Sequence, residues 1–277
     1  MGSPAQPVTG LPRALTIAGS DSGGGAGIQA DLKVFLALGC HGMSAVTALT
    51  AQNTVEVSDI YLAPPSFVSA QIDAVAGDIG VDAAKTGMLA SAPIVEAVAS
   101  ALSAHGIDRL VVDPVFVSKH RDRLLAEDAI GALKESLFPQ ALVITPNLYE
   151  TSALLGGGDI SSVEEMKEAA VALGTLGPRA VLVKGGHLPG ELAVDVFWDG
   201  RVCIELAGVR FDTKDTHGTG CALSAAIAAF LAHGDSLPDA VRRSKHFVSG
   251  AIRNNIRLGR GFGPVNPGWN LTSREPD

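Results

Sequence analysis

The ten residues Ala222-Leu-Ser-Ala-Ala-Ile-Ala-Ala-Phe-Leu231 carry no charge on any side, and a helix of that kind has to be covered all round. Directly before it runs Asp212-Thr-Lys-Asp-Thr-His-Gly-Thr-Gly-Cys221. Gly218 and Gly220 permit a tight turn, and the helix start behind them offers unpaired N–H groups and a positive dipole end to an anion. The same field acts on Cys221, which predicts a lowered thiol pKa and thiolate chemistry near neutral pH. The competing reading is a glycine turn before a core helix with one small buried cysteine.

What covers such a helix is legible in the chain before it. Ala14–Ala18 is a short apolar run that breaks at Gly19-Ser-Asp-Ser-Gly-Gly-Gly-Ala-Gly27, and Ile28–Leu38 then has helical apolar spacing with Gly39 at its end. Further short strands are expected at Ser44–Thr50, Thr54–Tyr61, Ala83–Met88, Arg109–Val112, Ala141–Thr145 and Ala180–Lys184, and a hairpin at Ala193–Trp198 and Val202–Leu206 around Asp199-Gly200. Helices are expected at Ser66–Gly77, Ser91–His105, Ala126–Leu137, Val163–Leu176 and Leu237–Ile256. Strands alternating with helices predict an α/β fold: a mostly parallel central sheet flanked by helices on both faces. The expected organisation is a disordered leader over residues 1–12, one domain over 13–264 and a flexible tail over 265–277.

Composition narrows the function classes. A net charge of −8 argues against a nucleic-acid surface. No apolar run approaches the ~20 residues of a membrane-spanning helix, and no membrane partner is expected. The three cysteines, Cys40, Cys203 and Cys221, are too scattered for a disulfide framework, which fits a cytoplasmic location. Gly25-Ala-Gly-Ile-Gln-Ala30 formally matches the dinucleotide fingerprint, but the stretch Ala45–Asn53 holds Gln52 and no carboxylate where the acidic partner should stand.

Polar residues gather where successive strands should end: Asp113, Asn147, Glu150, Lys184 and Thr213, then the Gly218–Cys221 turn. Carboxylates and carboxamides suit a hard hydrated cation, a lysine neutralises phosphate oxygens, and a helix N-terminus receives a transferring group. The pattern predicts a magnesium nucleotide. The chain has no Gly-Lys dipeptide and therefore no Walker loop. Each residue also has a plain structural reading, Asp113 as a turn residue, Lys184 as a solvated strand end and Glu150 as a helix-surface carboxylate.

Ala18-Gly-Ser-Asp-Ser-Gly-Gly-Gly-Ala-Gly-Ile-Gln-Ala-Asp-Leu-Lys33, Thr50-Ala-Gln-Asn-Thr54, Val112-Asp-Pro-Val115, Thr145-Pro-Asn-Leu-Tyr-Glu150, Lys184-Gly-Gly-His187 and Thr216-His-Gly-Thr-Gly-Cys221 stand in this order over about Arg13–Pro264. Together they resemble the hydroxymethylpyrimidine/phosphomethylpyrimidine kinases of thiamine biosynthesis, in the ribokinase superfamily. The resemblance implies a ribokinase-like fold and ATP-dependent phosphorylation, first of 4-amino-5-hydroxymethyl-2-methylpyrimidine and then of its monophosphate. It implies that Gln52 binds the pyrimidine, that Gly19, Asp31, Met88 and Val115 line the substrate pocket, and that Asp113 and Glu150 serve Mg²⁺. It gives Lys184 and Asn147 to the nucleotide, and the strand-end pattern adds Thr213. Gly218, Gly220 and Cys221 become an anion hole, with Cys221 as the base. A homodimer is also implied.

One stretch departs from that family pattern. Lys119-His-Arg-Asp-Arg-Leu-Leu125 lacks the glycine and proline usual there. Two further readings stay open: a pyridoxal kinase of the same lineage, and a catalytically silent ligand-binding relative.

Overall fold

Runs that are apolar without alternation become the inner strands of one sheet. In the computed structural model, which describes residues 10–116 and 127–271, the chain forms β1 (Arg13–Asp21), α1 (Gly27–Ala37), β2 (His41–Gln52), β3 (Val57–Leu62), α2 (Pro65–Asp78), β4 (Ala83–Thr86), α3 (Ala92–Ala104) and β5 (Leu110–Val112). There follow α4 (Glu127–Ala132), β6 (Val143–Ile144), α5 (Leu148–Leu154), α6 (Val163–Gly174), β7 (Val181–Val183), β8 (Leu192–Trp198), β9 (Cys203–Val209), α7 (Thr219–Ala232) and α8 (Leu237–Arg253). The basic loop 119–125, most of the leader and the last six residues lie outside the described residues.

The nine strands form one sheet in the order β3-β2-β1-β4-β5-β6-β7-β8-β9. From β2 to β7 neighbours run parallel, while β3, β8 and β9 add antiparallel edges. The expected mostly parallel sheet is the one observed. Both of its faces are covered: Leu110 and Val112 pack with α2, α3, α4 and α6 on one side, and Val111 between them packs with α1, α7 and α8 on the other. This is why the inner strands read as unbroken apolar runs. Every residue from Ala222 to Leu231 is buried, and the alanines there let α7 lie close to α1, α8 and the sheet at once.

Several expected boundaries shift for identifiable reasons. β1 runs on past Ala18 to Asp21, through a register break between Ala18 and Ser20, so Gly19 serves as a bulge rather than as the strand's end. After Pro146 the sequence sets no helix bounds, although Glu150 reads as a helix-surface carboxylate; α5 forms there, and Asn147 and Glu150 close it with a reciprocal capping box. Seven residues followed by Gly156-Gly-Gly158 leave too little apolar periodicity to see such a helix beforehand. α8 stops at Arg253, and the chain turns back: Ile256 N–H donates to Pro264 O, and Phe262 N–H to Thr54 O. Val265 is buried, Asn266 N–H donates to Ala251 O, and the Trp269 indole N–H donates to Phe247 O.

Candidate active site

The parallel strands end along one edge, and the chain leaves β1 towards β2 on one side and reaches β4 on the other. At such a switch the adjoining loops diverge and open a crevice, which is where open α/β sheets bind ligands. Asp21, Gln52, Asp113, Asn147 and Lys184 all stand at or just past the ends of these strands.

One half of the crevice is small and largely apolar. A Cβ on Gly19 would lie 3.3 Å from Met88 Sδ and 3.7 Å from Ala48 O, so a side chain there would press on Met88. Met88 packs with Ala48 and Ala90, and Val115 packs onto them, which brings Gly19, Met88 and Val115 together. Gln52 closes β2 with Oε1 3.1 Å from Thr50 Oγ1 and Nε2 3.5 Å from His217 Nε2. Asp31 is placed differently from the implied pocket wall: it is a fully buried residue of α1, and its Oδ2 accepts from Thr16 Oγ1 at 2.6 Å and from Lys85 Nζ at 2.8 Å. Its other oxygen, Oδ1, is buried without a protein partner. Burial works against the charge of Lys85, and Asp31 beside it outweighs burial and holds the ammonium charged.

The other half is polar. Asp113 Oδ1 accepts from Lys184 Nζ at 2.7 Å and from Thr145 Oγ1 at 3.1 Å, and Oδ2 accepts from Ser224 Oγ at 3.3 Å. Lys184 lies 4.0 Å from Glu150 Oε2. Glu150 is therefore no surface carboxylate: it is buried, accepts from Asn147 N–H at 2.7 Å, and its own N–H donates to Asn147 Oδ1 at 2.9 Å. Nor is Lys184 a solvated strand end. Burial would lower its pKa, but Asp113 and Glu150 raise it overall. Burial would likewise raise the Asp113 carboxyl, but Lys184 and Lys85 bring it below the usual range. For Glu150 burial prevails and pushes the carboxyl up to about 7.

The glycine turn lies over this cluster. A Cβ on Gly220 would stand 3.2 Å from Lys184 Nζ and 3.7 Å from Asp113 Oδ2. Gly218 begins α7 with φ +79°, no side chain caps the helix, and a Cβ on Gly218 would overlap Gly25 O at 1.9 Å. The start of α7, the first glycine loop and the Lys184–Asp113 pair thus form one surface. Thr213 is engaged elsewhere: its Oγ1 accepts from Asp215 N–H at 3.1 Å and from Asn255 Nδ2 at 3.3 Å.

Cys221 departs from expectation. Burial pushes its thiol up to about 11, Lys85 opposes the rise, and Asp31 and Asp113 add to it. The helix-start field predicted the opposite direction, but it acts on a group withdrawn from water beside two carboxylates, and desolvation prevails. Lys85 and Ser224 went unrecognised in the sequence because their partners, Asp31 and Asp113, lie 54 and 111 residues away. Asp21 and His217 stood only inside quoted motifs; they meet at 3.0 Å.

Asp113 and Glu150 supply hard oxygen donors beside a lysine and an uncapped helix start, a set that fits Mg²⁺ shared with nucleotide phosphates. Among the described residues no three His, Cys, Asp or Glu side chains converge as a metal cluster, so the phosphates complete the donor set in that reading.

Comparison with known proteins identifies the family. The phosphomethylpyrimidine kinase family model matches residues 21–266. The hydroxymethylpyrimidine/phosphomethylpyrimidine kinase of Streptomyces coelicolor is 52% identical, over 98% of this chain and 99% of that protein. The crystal structure of phosphomethylpyrimidine kinase from Clostridium difficile 630 superposes with a TM-score of 0.77 at 42% identity, covering 87% of this chain and 99% of that one. The pyridoxal kinase of Staphylococcus aureus in complex with AMP-PCP and pyridoxal superposes with a TM-score of 0.87 at 37% identity, over 94% and 95% of the two chains. The chain belongs to the phosphomethylpyrimidine kinase family.

Proposed function

We propose that this kinase uses ATP to phosphorylate the hydroxymethyl group of 4-amino-5-hydroxymethyl-2-methylpyrimidine and then the resulting monophosphate, giving the diphosphate used in thiamine biosynthesis. The observation that carries the reading is the closure of the α7 start over the Lys184–Asp113 pair, with Gly220 3.2 Å from Lys184 Nζ at the Cβ position. N–H groups, a helix dipole and an ammonium converge there on the place a transferring phosphoryl group needs them. Across the crevice, Gly19, Met88 and Val115 form an apolar wall for the ring. Gln52 supplies the polar contact to the ring.

In the first step the alcohol oxygen attacks the γ-phosphorus, the bond from that phosphorus to the bridging oxygen breaks and ADP leaves, and the alcohol proton passes to the thiolate form of Cys221, while Lys184 and the α7 N–H groups balance the phosphoryl charge. In the second the acceptor is a phosphate oxygen that is largely ionised at neutral pH and needs little base. Asp113 and Glu150 would hold Mg²⁺, which when bound neutralises phosphate charge. Asn147 positions Glu150 through the capping box, and Thr213 belongs to the loop leading into the nucleotide side. Three unpaired cysteines favour a cytoplasmic setting. Among the described residues no helix is long and apolar enough to cross a membrane. A homodimer through the outer face of β2–β3 is the favoured assembly.

A second reading rests on the superposition with the S. aureus pyridoxal kinase: pyridoxal as an alternative acceptor. Coupled ATP-turnover assays with hydroxymethylpyrimidine, its monophosphate and pyridoxal decide between them. The pyrimidine reading expects turnover of both pyrimidines, with pyridoxal the poorer alcohol. Preference for pyridoxal would reverse it, and no turnover with any acceptor would favour a silent binding protein.

A further inference from the structure

His217 is buried between two loops that the proposed chemistry uses and is itself unused by it. Its backbone N–H donates to Gly263 O at 3.0 Å, and its carbonyl accepts from Val265 N–H at 3.1 Å. Its ring fills the space a side chain on Gly25 would need, since a Cβ there would lie 2.5 Å from His217 Cδ2. His217 Nε2 is 3.0 Å from Asp21 Oδ2. Asp21 also accepts from the N–H groups of Gly23 at 2.8 Å, Gly25 at 3.1 Å and Ala26 at 2.8 Å. Burial works to raise the Asp21 carboxyl, but His217 and the Ala26 and Gly23 N–H groups outweigh it and lower it overall, which keeps Asp21 ionised. An ionised carboxylate only accepts, so the His217 proton it faces sits on Nε2.

That proton fixes the sense of Gln52. The Thr50 hydroxyl has one proton and faces Ser20 O at 2.9 Å, which can only accept. Thr50 Oγ1 can then only accept from the Gln52 side chain. Gln52 Nε2 lies 3.5 Å from His217 Nε2, and Gln52 Oε1 lies 3.1 Å from Thr50 Oγ1; in that sense two donors face each other and two acceptors face each other. Turning the carboxamide by half a revolution removes both clashes: its nitrogen donates to Thr50, and its oxygen takes the longer branch of a three-centre bond from the His217 Nε2–H, whose shorter branch goes to Asp21.

We propose that His217 is a positioning residue for substrate choice: anchored by Asp21, it holds the Gln52 carboxamide oxygen away from the substrate and leaves an amide N–H for an acceptor nitrogen of a heteroaromatic ring. The site is thereby set for a ring that presents a lone pair at that edge, and set against one that presents an N–H or O–H there. This rests on the assignment of Gln52 to the ring.

The test is a double-mutant cycle of Gln52→Ala and His217→Phe, read as KM and kcat for hydroxymethylpyrimidine. Loss of a buried, oriented hydrogen bond predicts that His217→Phe raises KM about tenfold with little change in kcat. The increase should vanish in the Gln52→Ala background, and His217→Gln, whose amide can donate to both neighbours, should restore much of it. Independent effects of the two substitutions, or a fall in kcat alone, overturn the proposal. If Gln52→Ala leaves KM unchanged, the assignment of Gln52 to the ring is what fails. Because a ring substitution in a packed site can unfold the chain, the native enzyme supplies a second measurement: ¹⁵N correlation spectra should find the His217 proton on Nε2. A proton on Nδ1 alone overturns the proposal without any variant.

Discussion

Cys221 sits under opposed influences, a helix start and Lys85 favouring the thiolate, burial and two carboxylates opposing it, and the balance lies at about 11. The thiol is therefore protonated at neutral pH in the free enzyme, and the fraction able to accept a proton rises about tenfold per pH unit below that value. The ratio of kcat/KM for the alcohol step to that for the phosphate step should climb from pH 7 to 9, since groups common to both steps cancel. A flat ratio would end the role of Cys221 as base. Cys221→Ala should slow the alcohol step by ~10²-fold or more, the scale of general-base catalysis, and the phosphate step far less; equal slowing in single-turnover assays points to packing alone. Lys85 poses a different question, because it is fully buried with Asp31. Lys85→Met strands a buried carboxylate and should cost about 3 to 5 kcal/mol in denaturant unfolding, with much of it returned by adding Asp31→Asn. No recovery in the double variant would contradict the pairing. Asp113 and Lys184 were legible in the sequence because strand ends mark them, whereas Lys85 reads as one polar residue inside a strand until β1 and β4 are known to be neighbours.

At the scale of elements, the turn into α7 is the most constrained piece. Gly218 combines φ +79° with a would-be Cβ 1.9 Å from Gly25 O, so Gly218→Ala faces both left-handed strain and a backbone collision. The strain alone costs about 1 to 3 kcal/mol, and displacement of the turn should depress both phosphorylation steps together. An unchanged unfolding midpoint with full activity would mean that the turn is free to move. Along α7, Ala226 is wholly buried, and Ala226→Leu overpacks the contact between helix and sheet at about 1 to 3 kcal/mol. This helix could be read in advance because it is apolar all round. α5 could not, since its start is specified by the Asn147–Glu150 box, whose carboxylate also served a functional reading. A short helix held by residues that also carry a functional reading leaves no separate signature in the sequence.

At the scale of the whole molecule, the alternation of strands and helices gave the layers, but not the strand order. The order decides which loops meet, and so it decides that Asp21 reaches His217 across 196 residues. The order also leaves β3 as an open antiparallel edge beside β2. Leu49 and Tyr61 are register partners across those strands, so they share a face, and they are 54% and 71% exposed. An aromatic and an aliphatic chain held side by side in water next to an unpaired edge invite a partner. A second copy fits, because a two-fold interface presents the same patch from both sides and so doubles each contact. Light scattering of the native protein should therefore give twice the chain mass of 28.3 kDa. Tyr61→Asp would place two like charges near the symmetry axis and should shift the population to single chains with the far-ultraviolet spectrum unchanged. Single chains in the native protein at micromolar concentration would exclude the dimer. A variant that stays dimeric would move the interface away from β2–β3.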